Sequence, residues 1–277
     1  MSLPPIPLAG VIGHPIAHSK SPRLHGHWLR RYGLAGHYIP MDVASSDLAH
    51  VLDILPRAGF LGVNVTIPHK EPVLDIADVI SDRAALIGAA NTLTFQSDGK
   101  LHADNTDGVG FISNLKQNAP DWKASDGPAI VLGAGGAARA VVAALLHERV
   151  PLILLANRTR ARADALKAHF GAKVEVVDWN GIIARLDEAH TLINTTSLGM
   201  AGKEELKLSL DALSPDALVT DLVYTPLTTS LLAQAHQKGC RVVDGLGMLL
   251  HQAAPGFERW FGKTPDIDDS LRREMLR

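Results

Sequence analysis

Residues 129–146 read AIVLGAGGAARAVVAALL. Over 18 residues the run carries one charge, Arg139, so its length and apolarity invite comparison with a membrane span. Two features argue otherwise. Gly133, Gly135 and Gly136 cluster in its first half, and the turn-forming Ser125-Asp126-Gly127-Pro128 precedes it. A strand over Ala129–Leu132, a glycine turn and a helix over Gly136–Leu146 fit the pattern better. Gly133 to Ala138 matches G-x-G-x-x-A. The first glycine permits the tight turn, the second lets backbone approach a pyrophosphate, and the small Ala138 lets the helix pack on its strand. The free N–H groups of the helix start then face the phosphates.

A second strand, Leu152–Leu155, follows at the spacing of a dinucleotide-binding unit. Where such a unit holds the ribose 2′-hydroxyl of NAD, an Asp or Glu is usual. This chain has Asn157-Arg158-Thr159-Arg160-Ala161-Arg162. Cations are disfavoured at a helix start unless an anion offsets them, and arginines pair well with phosphate. The pattern therefore favours NADP over NAD.

Outward from this unit, strand and helix patterns alternate along the chain, which predicts an α/β fold with largely parallel sheets. Expected strands include Leu8–Ile12, His37–Val43, Leu61–Ile67, Val174–Val177, Thr191–Asn194, Leu218–Leu222 and Arg241–Val243. Expected helices include Pro22–Tyr32 with Ser21 as a candidate cap, Ser46–Leu55, Asp78–Ile87, Gly108–Gln117, Arg160–Phe170, Thr229–Lys238 and Met248–Phe261. Ser97-Asp98-Gly99-Lys100 reads as a hairpin turn between Thr92–Gln96 and Leu101–Ala103. At roughly 150 residues per domain, the 277 residues suggest two domains. The polar segments Asp104–Gly108 and Asp244–Gly247 are the candidate boundaries.

In the first hundred residues, polar clusters follow apolar strands, where an open α/β sheet places its ligand crevice. They are His18-Ser19-Lys20-Ser21-Pro22 and Asn64 to Lys70, with Asn91-Thr92 and Asn105-Thr106-Asp107 later. Lys70 sits in an expected first helical turn, an unfavourable place for a cation, which points to function.

With 27 basic and 29 acidic residues the formal charge is −2, so charge gives no case for a nucleic-acid or membrane-surface partner. One cysteine, Cys240, leaves neither a disulfide framework nor a thiolate zinc site, and a reducing, cytoplasmic setting is expected. The start, MSLPPIPLAGVIGHP, has no basic segment, so no signal peptide is expected. Among 13 histidines, the pairs His14/His18 and His25/His27 complete no zinc spacing, and no metal is expected.

Nine motifs in order resemble the shikimate dehydrogenase family: GHPIAHSKSPRLH (13–25), NVTIPHK (64–70), GAANTL (88–93), DNTDGVGF (104–111), VLGAGGAARA (131–140), NRTRAR (157–162), NTTSLGM (194–200), DLVYTPLTTSLL (221–232) and DGLGMLLHQAA (244–254). The resemblance covers essentially the whole chain. It implies an N-terminal α/β substrate domain (1–106) completed by C-terminal helices (246–277), and an inserted Rossmann-type NADP domain (107–245). It implies reduction of 3-dehydroshikimate to shikimate with NADPH, on the route to chorismate. By the resemblance, Ser19 and Ser21 would hold the substrate carboxylate, with Thr66 nearby. Lys70, Asn91, Asp107 and Gln252 would meet the ring hydroxyls, Lys70 and Asp107 forming the catalytic pair, and Tyr224 would edge the substrate site. Gly133, Gly135, Gly136 and Ala137 would line the pyrophosphate, and Asn157, Arg158, Thr159 and Arg162 the 2′-phosphate. Gly247 and Met248 would lie near the nicotinamide. The sequence departs from the commonest family pattern at His14, His69 and Thr195. A quinate/shikimate dehydrogenase of the same family and a non-catalytic NADP-binding protein are the alternatives. The expected partner is a small molecule, with the chain a monomer or homodimer.

Overall fold

The structure is a computed structural model, and residues 6–277 are described. The reading of the chain start as lacking a signal peptide falls partly on positions 1–5, outside the described residues. The chain forms two compact units, one reaching to Gly110 and taking up again at Leu249–Arg277, the other Phe111–Met248.

In order, the elements begin with β1 (Leu8–Gly13), α1 (Ser21–Tyr32), β2 (His37–Asp42), α2 (Leu48–Ile54), β3 (Phe60–Val65) and β4 (Val79–Ile80). Next come α3 (Asp82–Ile87), β5 (Thr92–Phe95), β6 (Leu101–Asp104) and α4 (Asp107–Asn118). The second sheet is built from β7 (Ala129–Leu132), α5 (Gly136–His147), β8 (Ile153–Ala156), α6 (Arg160–Phe170), β9 (Val174–Val177), β10 (Thr191–Asn194), β11 (Leu218–Asp221), α7 (Ser230–Gln237) and β12 (Arg241–Val243). Helices α8 (Leu246–Phe261) and α9 (Asp269–Leu276) close the chain. The division between units falls inside α4 and inside α8.

The second unit's sheet is wholly parallel, in the order β12-β11-β10-β7-β8-β9. Its central strands are apolar at nearly every position because both faces are covered. Ala129, Val131, Ile153 and Leu155 enter one core, while Ile130, Leu132, Leu154 and Ala156 enter the other. Neighbours β7 and β10 carry the chain away in opposite directions, making the switch point where such sheets bind ligands. The apolar run 129–146 is thus strand, turn and helix. Among the described residues, no helix is long and apolar enough to cross a membrane.

The first unit's sheet is mixed, in the order β2-β1-β3-β5-β6-β4. β1 runs parallel to β2 and β3, whereas β5 is antiparallel to both β3 and β6. The hairpin at 97–100 makes that reversal. The two reversals, β3 against β5 and β5 against β6, leave β3 and β6 ending at the same edge of the sheet, where β5 begins. This is why Asn91, which precedes a strand, joins residues that follow strands.

Two expectations need correction. Asp78–Ile87 is not one helix: Val79–Ile80 pairs with β6, and Ser81 caps the shorter α3 by accepting from the Ala84 N–H. α9 was not anticipated, because only Leu271 and Met275, four apart, carry its buried stripe.

Asp104, at the end of β6, is the electrostatic anchor of this unit. It accepts from Arg83 Nε at 3.2 Å and Nη2 at 2.6 Å, from Ser81 Oγ at 2.7 Å and from Arg259 Nη2 of α8. Burial, the largest single influence, pushes its pKa up. The bonds from Arg83, Arg259 and Ser81 together outweigh it and hold the group at about 2. The stabilisation is therefore present above the unfolded-state value near pH 4 and is lost as pH falls towards about 2. A depression of nearly two units corresponds to roughly 2 kcal/mol. Asp104→Asn is expected to lower the unfolding free energy by about that much at pH 7, with the gap narrowing towards pH 2. Urea unfolding of both proteins across that range is the check, and a gap independent of pH would refute the assignment.

Candidate active site

At the shared edge of β3, β5 and β6, the backbone is stitched before any side chain is considered. Val65 N–H donates to the Asn91 carbonyl at 2.9 Å, Ala90 N–H to the Lys70 carbonyl at 2.7 Å, and Asn91 N–H to the Asp104 carbonyl at 3.0 Å. Lys70, Asn91 and Asp107 are thereby fixed relative to one another. Lys70 Nζ donates to Asp107 Oδ2, with side chains only 14% and 5% exposed. Asn91 Nδ2 donates to Asp107 Oδ1 at 2.9 Å. The same nitrogen lies 3.0 Å from both Thr106 Oγ1 and Gln252 Oε1. Two protons face three acceptors, so this nitrogen cannot satisfy all three at once.

Lys70 lies in a turn ahead of a four-residue 3-10 segment, Pro72–Asp75, and not in an α-helical first turn. The helix-dipole argument for its function therefore lapses, and the carboxylate partner takes its place. Asp107 is the residue that opens a helix, α4, where a negative charge is favoured. Its N–H donates to Asn105 Oδ1 at 3.0 Å, and Asn105 Nδ2 holds the Ala89 carbonyl at 2.8 Å.

Ser19 and Ser21 flank the start of α1. Ser21 is the first helical residue and Lys20 occupies the cap position without a side-chain cap bond, so Ser21 is not the cap. Ser19 Oγ accepts the Ser21 N–H at 3.3 Å, which leaves the Ser19 hydroxyl proton for another acceptor. Thr66 follows β3 beside the end of β1, its N–H on the Ile12 carbonyl at 2.9 Å. Gln252 sits on α8, and its backbone carbonyl accepts from Thr106 Oγ1 at 2.8 Å. The structure thus gathers Lys70, Asn91, Asp107 and Gln252 into one buried cluster. Sequence reading placed Asn105 and Asn64 in polar clusters without giving either a role, and it missed Tyr38, whose hydroxyl donates to Asn64 Oδ1 at 2.7 Å. Asn64 lies within the NVTIPHK motif, but nothing in the sequence marks Tyr38.

In the second unit, Gly133 has φ of 111°, and a Cβ there would meet Thr195 Oγ1 at 2.5 Å. Gly135 caps α5 without a side-chain bond, and a Cβ there would point into open space. A free helix start beside an uncovered glycine suits a pyrophosphate. Gly136 and Ala137 continue that first turn.

Asn157, Arg158 and Thr159 follow β8, with Thr159 at the cap position of α6. Arg160 is spent on Asp178 at 2.5 Å and Asp164 at 3.6 Å. Among the described residues, no carboxylate lies in ion-pair range of Arg158 or Arg162, and both are exposed. These groups fit the phosphates of NADP. Tyr224 lies in the loop after β11. Gly247 and Met248 open α8, and a Cβ on Gly247 would strike Asn114 Oδ1 at 1.8 Å.

The three departures all have structural partners. His14 Nδ1 lies 2.5 Å from Asp42, His69 is buried with Nε2 on the Val43 carbonyl at 2.8 Å, and Thr195 Oγ1 donates to the Leu132 carbonyl at 2.7 Å. His25 stacks on Tyr38 at 3.8 Å, and burial lowers its pKa to about 3. Among the described residues, no group of three or more His, Cys, Asp or Glu is placed to hold a metal ion.

The sequence matches the shikimate dehydrogenase substrate binding domain over residues 11–93, the shikimate / quinate 5-dehydrogenase domain over 114–212 and the shikimate 5′-dehydrogenase C-terminal domain over 245–269. It is 67% identical over 271 residues to the shikimate dehydrogenase (NADP(+)) of Cereibacter sphaeroides, covering 98% of this chain and 97% of that one. The fold is similar to shikimate 5-dehydrogenase from Thermus thermophilus in complex with NADP(H) and shikimate: TM-score 0.85, 39% identity, 96% of this chain and 99% of that one. It is also similar to quinate dehydrogenase from Corynebacterium glutamicum in complex with NAD, with TM-score 0.88, 31% identity and coverage of 97% and 96%. The two polar centres therefore stand in a known setting, and the chain belongs to the shikimate dehydrogenase family.

Proposed function

We propose that this chain is an NADP-dependent shikimate dehydrogenase that reversibly reduces 3-dehydroshikimate to shikimate, a step towards chorismate and the aromatic amino acids. The observation that carries the reading is the buried Lys70–Asp107 pair, joined by Asn91 and Gln252. Residues 1–106 and 246–277 are assigned to the substrate, and 107–245 to NADP. The reading includes a reducing, cytoplasmic setting, with which a single cysteine agrees.

When bound, NADPH supplies the hydride. The protein supplies grip, orientation and a proton. Ser19 and Ser21 donate hydroxyl protons to the substrate carboxylate, with Thr66 alongside. Asn91, Asp107 and Gln252 hold ring hydroxyls, and Tyr224 edges the site. Lys70 Nζ gives a proton to the ring 3-oxygen as negative charge builds there, and takes it back in the reverse direction. The N–H groups at Gly133, Gly135, Gly136 and Ala137 would hold the pyrophosphate. Asn157, Arg158, Thr159 and Arg162 would hold the 2′-phosphate, and Gly247 and Met248 would lie on the nicotinamide side.

The test follows nicotinamide absorbance with shikimate or quinate against NADP or NAD. Turnover is expected to be fastest with shikimate and NADP. A preference for quinate would move the chain to the quinate/shikimate branch, and cofactor binding without turnover would leave a non-catalytic NADP-binding protein. Arg158→Ala or Arg162→Ala is expected to raise KM for NADP by about 10- to 100-fold, the loss of a charge-assisted bond of roughly 1.5–3 kcal/mol. KM for NAD should barely move, and equal weakening of both cofactors would refute the 2′-phosphate assignment.

A further inference from the structure

The carboxylate of Asp221 is completely buried at the end of β11, yet it has no place in the site described above. Three donors converge on it. Asn194 Nδ2, at the end of the adjacent β10, donates to Oδ1 at 2.9 Å, and the Val223 N–H donates to the same oxygen at 3.0 Å. Thr229 Oγ1, at the cap of α7, donates to Oδ2 at 2.7 Å.

What these donors hold is informative. Asn194 Oδ1 accepts from the Thr196 N–H at 3.0 Å and from Thr196 Oγ1 at 2.7 Å. That fixes the start of the loop whose Thr195 donates to the Leu132 carbonyl, just before Gly133. Thr195 Oγ1 and Thr196 Cγ2 would lie 2.5 and 3.0 Å from a Cβ on Gly133, so they form the wall behind the phosphate turn. On the other side, the Val223 N–H sets the direction of the loop carrying Tyr224. The Ala201 N–H on the Thr225 carbonyl, at 2.8 Å, ties the two loops together.

We infer that Asp221 is a positioning residue for NADP(H): its carboxylate clasps the ends of β10 and β11 and so holds Thr195 and Thr196 behind the Gly133 turn. The inference rests on the reading of that turn as the pyrophosphate site. Burial raises the pKa of Asp221 to about 6 against the pull of its three hydrogen bonds, so at pH 7.5 the clasp is an anion. An anion accepts from all three donors at once; a neutral side chain of the same shape cannot. A purely apolar filling would leave Asn194, the Val223 N–H and Thr229 without their acceptor.

The test compares wild type with Asp221→Asn, Asp221→Ala and Thr229→Val. Dissociation constants for NADPH alone and shikimate alone are measured at pH 7.5 by calorimetry, together with kcat, both KM values and Tm. Asp221→Ala is expected to weaken NADPH binding tenfold or more while shikimate binding changes less than threefold. Asp221→Asn should fall in between, because it keeps one acceptor, and Thr229→Val should weaken NADPH about threefold. A lower Tm with both affinities unchanged, or both weakened in parallel, would make Asp221 a merely structural residue and overturn the inference. If Asp221→Ala fails to fold, Thr229→Val decides by the same ratio. Failure of the wild type itself to bind NADPH would instead refute the cofactor reading on which the inference stands.

Discussion

Lys70→Ala is expected to lower turnover by about 10²–10⁴-fold while leaving shikimate affinity much less affected. Reduction of a ring ketone builds negative charge on oxygen, and a proton must arrive with the hydride. Lys70 Nζ carries three protons and donates one to Asp107. The other two are available to a substrate oxygen. With the side chain only 14% exposed, bulk water is a poor substitute. The backbone at this position is held independently, since the Lys70 carbonyl accepts the Ala90 N–H. Truncation therefore removes the ammonium without releasing the loop. Turnover at saturating substrate, with shikimate binding measured separately by calorimetry, separates the two roles. Near-normal turnover, or activity lost only through weaker binding, would make Lys70 a substrate clamp and require another proton donor.

The second unit was legible in the sequence almost to the residue, because local and tertiary demands coincide there. Strands buried on both faces read as near-continuous apolar runs, so Ala129–Leu132 declares its limits. The glycine turn likewise has only one plausible job between a strand and a helix. The first unit was less transparent. An antiparallel strand within a mostly parallel sheet reverses which end of the strand faces the site, and no periodicity reports that. Sequence pattern groups Asn91 with polar segments that follow strands, whereas it precedes β5 and reaches the cluster through that reversal. The helical first turn expected at Lys70 does not form, and what the structure shows in its place is an ion pair with Asp107, a residue 37 positions away. Partners at such separation are invisible to local pattern, and the same holds for Arg259 on Asp104 and Asn194 on Asp221. The family resemblance assigns Arg158 and Arg162, but not Arg160, to the 2′-phosphate, and the structure supplies a physical reason for leaving Arg160 out: it is paired with Asp164 and Asp178.

Asp107→Asn is expected to reduce turnover by about 10²-fold or more, although it preserves shape. The reason lies in donor and acceptor counting. Both carboxylate oxygens accept from groups that can only donate here: Oδ2 from the Lys70 ammonium and Oδ1 from Asn91 Nδ2. An asparagine offers one oxygen and one NH₂. Whichever way the amide is turned, its NH₂ faces either the ammonium or the Asn91 amide, donor against donor. One of those contacts must break, and Lys70 in addition loses the only carboxylate in its ion-pair range among the described residues. The ammonium thereby loses the partner that orients it towards the substrate. One consequence differs from those of Lys70→Ala: shikimate binding should weaken clearly, since Asp107 is assigned a ring hydroxyl as well as the lysine. The check is kcat at saturating substrate for both variants, with binding by calorimetry. Asp107→Asn with wild-type turnover would mean that Lys70 does not depend on this carboxylate and that the pair is not the proton-transfer unit.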